Sequence, residues 1–345
     1  MPFEVTRMKR NLFALTLLVI QFAATALFAQ TAATTSDVDP VTLTGPYTHD
    51  NLAVFVVHDP SAKDEGDILT LQEALKKGVV TIKETGNVNE LRATNRSKSK
   101  VFLQSGDIVK GGRQDRVLQH DTMLLPKSKN VPLAAFCVEA GRWTGRGREA
   151  RTHFSSSNNR LVTKAQKLAV KLKGNQGAVW DSVAKAQSDV SKHLGGSVKS
   201  AVSSTSLQLS LENKTLRGTV ETYVEDIERQ VPPSTDAVGY AMALNGQVES
   251  VDVFATPGLF AKLKSKLLRA GATEAIAAKT TTPFEQPKAA AVQTLVSDAE
   301  SGEAKLEKQN LRTEVSKKET GKSVVFSTKE DSFHGKAAHK SYMAK

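Results

Sequence analysis

The chain reads as an α+β protein in which an early mixed or antiparallel sheet precedes amphipathic helices and then a β-hairpin packed with further helices. Three observations lead there. Short β-rich runs separated by Gly, Asp, Asn or Pro crowd the stretch after residue 40, and the apolar period changes from two to about 3.6 near Arg160. Asn245-Gly246 then sits between two apolar runs, a strong hairpin signal because both central residues of a type I′ turn need positive φ. The order strands, helices, hairpin, helix lacks the alternation of a doubly wound sheet.

At the N-terminus, Arg7, Lys9 and Arg10 precede LFALTLLVIQFAATALFA, Leu12 to Ala29, and Ala29 suits small-residue cleavage before Gln30. Residues 1–29 therefore read as a secretory signal peptide, with Met8 an alternative start, and the chain as exported, periplasmic or secreted. An uncleaved anchor is the competing reading, since about 18 apolar residues is near the minimum that spans a bilayer. Gln21 and the threonines interrupt that run. Contact with a membrane is expected only through this segment, if it is retained. Residues 30–40 form a polar linker, and 41–345 are expected to fold as a single α+β domain.

NLAVFVVHD, KVFLQSG, VLQHDTMLLP and NVPLAAFCVEAG are the early strands, and DILTLQEALKKG, with Ile68, Leu71 and Leu75 at helical spacing and Gly78 as a stop, is a helix among them. From Arg160, Leu161, Ala165, Leu168 and Leu172 mark the apolar face of a helix whose Lys164, Lys167 and Lys171 read as its solvated side. Val179, Val183, Ala186, Val190 and Leu194 mark a second helix, closed by Gly195 and Gly196. A third runs from Lys214 to Gln230 and stops at Pro232 and Pro233. LFAKLKSKLLRAGA follows the hairpin as another helix. TEVSKKETGKSVVFSTK reads as a hairpin around Thr320-Gly321, and the polar, basic end from about residue 330 as a mobile tail on which His334 and His339 are solvated.

A formal net charge of +11 points to anionic partners, but the basic residues are dispersed and the aromatics do not interleave with them, which argues against nucleic acid. Lone Cys137 cannot form an internal disulfide and reads as a small core residue. The seven histidines form no metal-ligand spacing, and no P-loop, dinucleotide fingerprint or nucleophile elbow is present, so neither metal nor cofactor is expected. Ser182-x-x-Lys185 lies inside a helix without the companion motifs of a penicillin-binding site.

What remains is GDIVKGGRQDRVL. Gly111 and Gly112 can take backbone angles that let successive N–H groups converge on an anion, with Lys110, Arg113 and Arg116 as countercharge; a plain turn with solvated flanks is the alternative. Arginine suits phosphate or carboxylate because its planar fork grips at two points. Downstream, CVEAGRW ends a strand with Glu139, Arg142 and Trp143, the ingredients of a ligand edge or of a capped salt bridge. Asp115 and Glu139 are the candidate catalytic pair, with Gln114 to orient water or substrate.

These blocks, with QGAVWDSV and VGYAMALNGQVESVDVFATPGLF, resemble the ARG and rhodanese-phosphatase-superfamily-associated protein domain family between about Gly106 and Leu268. Gly106, Gly111, Gln114, Arg116, Cys137, Glu139, Gly141, Arg142 and Trp143 match the family's G-x-x-x-x-G-x-x-Q-x-R and C-x-E-x-G-R-W blocks. By analogy, the resemblance implies a link to ADP-ribose or related nucleotides. Two functions follow. The first is an exported module that binds a phosphate-bearing or other anionic small molecule over Gly106–Trp143; if it is an enzyme, it is a hydrolase of a phosphate-containing substrate. The second is a non-enzymatic envelope interaction or structural protein, with an envelope protein as partner, whose block residues only stabilise the fold.

Overall fold

The computed structural model describes residues 41–345 apart from 65, 148, 311, 312 and 334; the expected signal segment, and His334, lie outside the described residues. In chain order, β1 (Thr42–His49) and β2 (Leu52–His58) form a hairpin, and β3 (Ile68–Thr70) runs straight into α1 (Leu71–Lys76). The helix starts later than its apolar spacing suggests because Ile68 belongs to the strand, while Thr70 and Glu73 close a reciprocal capping box. Then come β4 (Val80–Glu84), β5 (Glu90–Asn95), β6 (Lys100–Leu103), β7 (Asp107–Gly111), β8 (Arg116–Leu118), β9 (Thr122–Leu124), β10 (Val131–Cys137) and β11 (His153–Leu161). The helical stretch is α2 (Lys164–Leu168, continued as a π turn to Lys173), α3 (Gln176–Leu194), α4 (Leu207–Leu211) and α5 (Lys214–Gln230). β12 (Ala237–Leu244) and β13 (Gln247–Phe254) form the hairpin, with Asn245 at φ 48° and Gly246 at φ 80° as the Asn-Gly pair requires. α6 (Pro257–Ala277), α7 (Ala289–Glu300), β14 (Glu303–Asn310), β15 (Thr313–Glu319), β16 (Ser323–Glu330) and β17 (Ala337–Ala344) complete the chain.

The fold is mixed α+β. The early strands do not share one sheet, however. β10, β5, β4, β11, β7 and β8 close a six-stranded barrel, β3, β6 and β9 form a small sheet, and β1 and β2 join an eight-stranded sheet of order β1-β2-β12-β13-β17-β16-β15-β14. The barrel interior is apolar, with Ile82, Leu91, Ala93, Val109, Leu133 and Ala135 at 2% exposure or less. On the large sheet, alternate residues face opposite layers: Val54, Val56, Tyr240 and Met242 join the cluster that includes α5 and α6, while Phe55, Val57, Ala241 and Val251 meet Val292 and Leu295 of α7. Three barrel connections, the β4–β5 turn, the β7–β8 turn and the β10–β11 loop, lie at the same end, as the pairs His153↔Lys83, Phe154↔Gly111 and Cys137↔Arg116 require.

The expected mobile tail is instead β17, paired between β13 and β16 with most of its residues buried. The strand is buried on both faces, so Ala338, Ser341, Tyr342 and Met343 show no period of two, and its small and polar residues do not read as an apolar run. His339 is likewise 1% exposed, not solvated. Its Nδ1 lies 2.8 Å from Asp121 Oδ2 and its Nε2 lies 3.0 Å from Asp252 Oδ1, while the Phe254 ring stacks on it at 4.3 Å. Carboxylates only accept, so both ring nitrogens must donate and the imidazole is a cation. Burial pushes the two aspartates up, yet both end well below the usual carboxylate range, Asp121 because His339 faces it and Asp252 because Lys167 and His339 do. Burial pulls His339 down, but the two carboxylates outweigh it and leave its pKa raised. Asp121 also accepts from Ser105 N at 2.6 Å and Thr328 Oγ1 at 2.8 Å.

The basic face expected to be wet is turned inward for the same reason. Lys167 and Lys171 are 7% and 5% exposed: Lys167 reaches Asp252 at 3.7 Å, and Lys171 lies 4.1 Å over the Phe326 ring, where burial brings its pKa down to about 8. Ala165, assigned to the apolar face, is exposed.

His339→Gln is expected to cost about 3–5 kcal/mol at pH 6, the range for removing one partner of a buried ion pair. Because the folded pKa of His339 is raised, its contribution is complete below its unfolded value of about 6.5 and fades as pH rises through the folded value. Denaturation of wild type and variant from pH 6 to 9 should therefore show a stability gap that narrows with rising pH; a gap that is absent or widens contradicts the ion-pair account.

Candidate functional site

The amides of the glycine turn between β7 and β8 do not converge on one point; each is satisfied within the protein, two of them by its own carboxylates. Gly111 N donates to Asp115 Oδ1 at 3.0 Å, Arg113 N donates to Glu84 Oε1 at 3.0 Å, and Gly112 N between them donates to Ala150 O at 2.9 Å. Position 112 must be glycine: its φ is 57°, and a Cβ there would fall 2.4 Å from the Phe154 ring and 2.7 Å from Glu84 Oε1. Lys110, expected as countercharge for a ligand, is held by Glu212 at 2.8 Å, with Glu149 at 3.7 Å.

Beneath the turn lies a closed ion network. Arg146 grips Asp115 at two points, Nη1 to Oδ2 at 3.0 Å and Nη2 to Oδ1 at 3.1 Å, and Ser206 Oγ donates to Oδ2 at 3.0 Å. Glu139 accepts from Arg142 Nε at 2.8 Å and from the Asp115 amide at 3.2 Å, and Arg146 Nη1 stands 3.4 Å from its other oxygen. Arg142 Nη1 also donates to Gly112 O at 3.2 Å and Thr144 O at 2.6 Å, which ties the backbone just after Trp143 to the β7–β8 turn. Gln114 Nε2 donates to Glu139 O at 3.0 Å; Arg116 Nη1 donates to Gln114 O at 3.0 Å, and its Nη2 is 3.7 Å from Glu84. Gln114, Asp115 and Glu139 are fully buried and Arg116 is 1% exposed.

The structure thus brings the proposed catalytic pair together but under the surface. Burial pushes the Asp115 carboxyl up against the pull of Arg146. It pushes Glu139 up as well, but Arg142 more than offsets it and Glu139 ends below its ordinary value. Cys137 is 2% exposed, burial raises its thiol, and its backbone is bracketed by the Gln176 amide, N to Oε1 at 2.9 Å and Nε2 to O at 2.8 Å. This is a core cysteine. Of the sequence candidates, Arg113 and Trp143 alone have exposed side chains, Trp143 at 53%.

Several partners escaped the sequence reading. Arg146 follows Arg142 by four residues in the same run, a spacing that could have flagged it. Nothing local marks Glu84, Ser206 or Glu149, whose roles arise only from barrel closure and from the seating of α4, where Ser206 caps the helix and Leu207 N donates to Val138 O at 3.0 Å. No group of three or more His, Cys, Asp or Glu side chains suited to a metal occurs among the described residues.

The model of the ARPP-1 family, the ARG and Rhodanese-Phosphatase-superfamily-associated Protein domain, matches residues 40–343, well beyond the blocks that carry the resemblance. No curated protein and no solved structure matches the chain.

Arg146→Met leaves Asp115 buried without its cation and is expected to destabilise the fold by about 3–5 kcal/mol at neutral pH. The deficit should shrink as pH falls and Asp115 takes up a proton. Arg113→Ala, on the surface, should stay within about 0.5 kcal/mol of wild type. Urea melts at pH 7 and pH 5 check both; equal effects of the two substitutions would contradict the network.

Proposed function

The chain belongs to the ARG and Rhodanese-Phosphatase-superfamily-associated Protein domain family, and from that premise we propose that it is an exported, non-enzymatic interaction protein that meets an anionic partner through its barrel end. One observation carries this reading: the charges and amides of the family blocks satisfy one another internally, so the outward-facing groups at the turn are Arg113, Trp143 and the neighbouring Arg151. A group already neutralised and desolvated has little left to offer a ligand. The block residues act as the frame that holds this rim. Export rests on the reading of residues 12–29 as a signal segment.

A small-molecule reading has one observation in its favour. Asp115 and Glu139 are adjacent carboxyls with pKa values pushed in opposite directions, as in acid–base pairs. Their full burial weighs against it.

The two readings separate experimentally. For an interaction rim, polyphosphate should bind in a salt-dependent manner and lose affinity in an Arg113→Ala, Arg151→Ala double variant of unchanged melting temperature. Inorganic phosphate and ADP-ribose should give no saturable thermal stabilisation. Saturable stabilisation by ADP-ribose that Arg116→Ala abolishes, or its turnover, would instead establish a small-ligand site.

A further inference from the structure

We propose that the anionic partner is a phospholipid surface and that the open end of the barrel docks on it, with Trp143 at headgroup level; this rests on the reading of the rim as anion-facing. Four large hydrophobic side chains are exposed among the described residues, and two of them belong to this one end: Trp143, 53% exposed in the β10–β11 loop, and Val88, 42% exposed in the β4–β5 turn. Barrel closure brings together two residues that lie far apart in sequence. Around them Lys83, Arg113 and Arg151 are exposed cations with no ion pair among the described residues. The nearby acids are already engaged: Glu84 by the Arg113 amide and Arg116, Glu90 by Arg92 at 2.9 Å, and Glu149 by Arg146 at 3.0 Å. The rim therefore presents apolar and cationic groups without free countercharge.

The shape suits a surface better than a small molecule. The loop is anchored by Arg142 and Arg146 yet has room beside Trp143: at Gly141 and Gly147, on either side of it, an added Cβ would meet nothing within 4 Å. A projecting indole can place its ring among acyl-chain ends and its N–H among headgroups, which is why Trp concentrates at membrane interfaces. Guanidinium forks beside it match lipid phosphates. The backbone that carries the indole is anchored, because Arg142, the preceding residue, bonds Thr144 O on its far side and Gly112 O of the β7–β8 turn. A net charge of +11 would draw the whole chain to an anionic leaflet, and an export signal would bring it to a membrane.

The test uses the chain from Gln30 onward, since the described core lies wholly within residues 41–345 and the N-terminal apolar run would bind lipid by itself. Trp180→Phe leaves Trp143 as the sole tryptophan, excited selectively above the tyrosine band. With phosphatidylglycerol-rich vesicles, co-sedimentation and a blue shift of Trp143 emission are expected, and neither with pure phosphatidylcholine. Arg113→Ala with Arg151→Ala should lower partitioning roughly 25-fold, about fivefold per charge. Trp143→Ala, in a chain that keeps Trp180, should weaken binding by several-fold with the melting temperature unchanged. Equal binding to both vesicle types, or an unchanged Trp143 spectrum on the anionic ones, overturns the lipid assignment. If polyphosphate still binds in that case, the anion-facing rim stands and only the lipid is wrong; if neither binds, both fall.

Discussion

One buried carboxylate organises the open end of the barrel. Asp115 accepts from the Gly111 amide, from both terminal nitrogens of Arg146 and from Ser206, and so ties together a strand turn, a loop and the start of a helix that lie up to 91 residues apart in sequence. A carboxylate taken out of water needs such compensation on every side. Once Arg146 is committed there, Arg142 is left to Glu139 and to the carbonyls of Gly112 and Thr144, and Gln114 is left to hold the Glu139 backbone. The arrangement of the rim follows from satisfying this one charge.

The same rule operates at a second junction. His339, Asp121, Asp252 and Lys167 form a second buried group of charges, placed where the eight-stranded sheet meets the small sheet and α2. With one cysteine and hence no internal disulfide, the chain fastens its layers by burying complementary charges at two junctions between apolar clusters. Such pairs add little net stability over apolar packing, but a wrong register would strand them, so they penalise misassembly. That suits a central C-terminal strand, which reaches its place only after everything else in the sheet has been made.

Legibility in the sequence followed the range of the interaction. The helices over Gln176–Leu194 and Lys214–Gln230 and the Asn245-Gly246 hairpin depend on local period, caps and φ, and each is where its spacing puts it. Barrel closure was invisible, because it depends on pairing β10 with both β5 and β8 across a gap that no local pattern encodes. Lys167, Lys171 and His339 were misplaced for a common reason: charge reads as solvent-facing until the partner is known, and the partners Asp121 and Asp252 lie far away in sequence. At the site, the pattern of glycines and arginines singled out the turn and the buried residues around it, Gln114, Asp115, Arg116 and Glu139. It could not show that Asp115 and Glu84, inside the same fold, already fill the place assigned to a ligand.

A turn whose amides are already bonded to the protein's own carboxylates behaves unlike an open anion cradle, and the amides of Gly111 and Arg113 report the difference directly. Amide hydrogen exchange and chemical-shift titration with inorganic phosphate and ADP-ribose would read it. The account predicts that both amides are protected in the protein alone and that neither shifts saturably on titration. Fast exchange without ligand, with protection and a saturable shift appearing only when the anion is added, would show that the turn is an open cradle and would contradict the account.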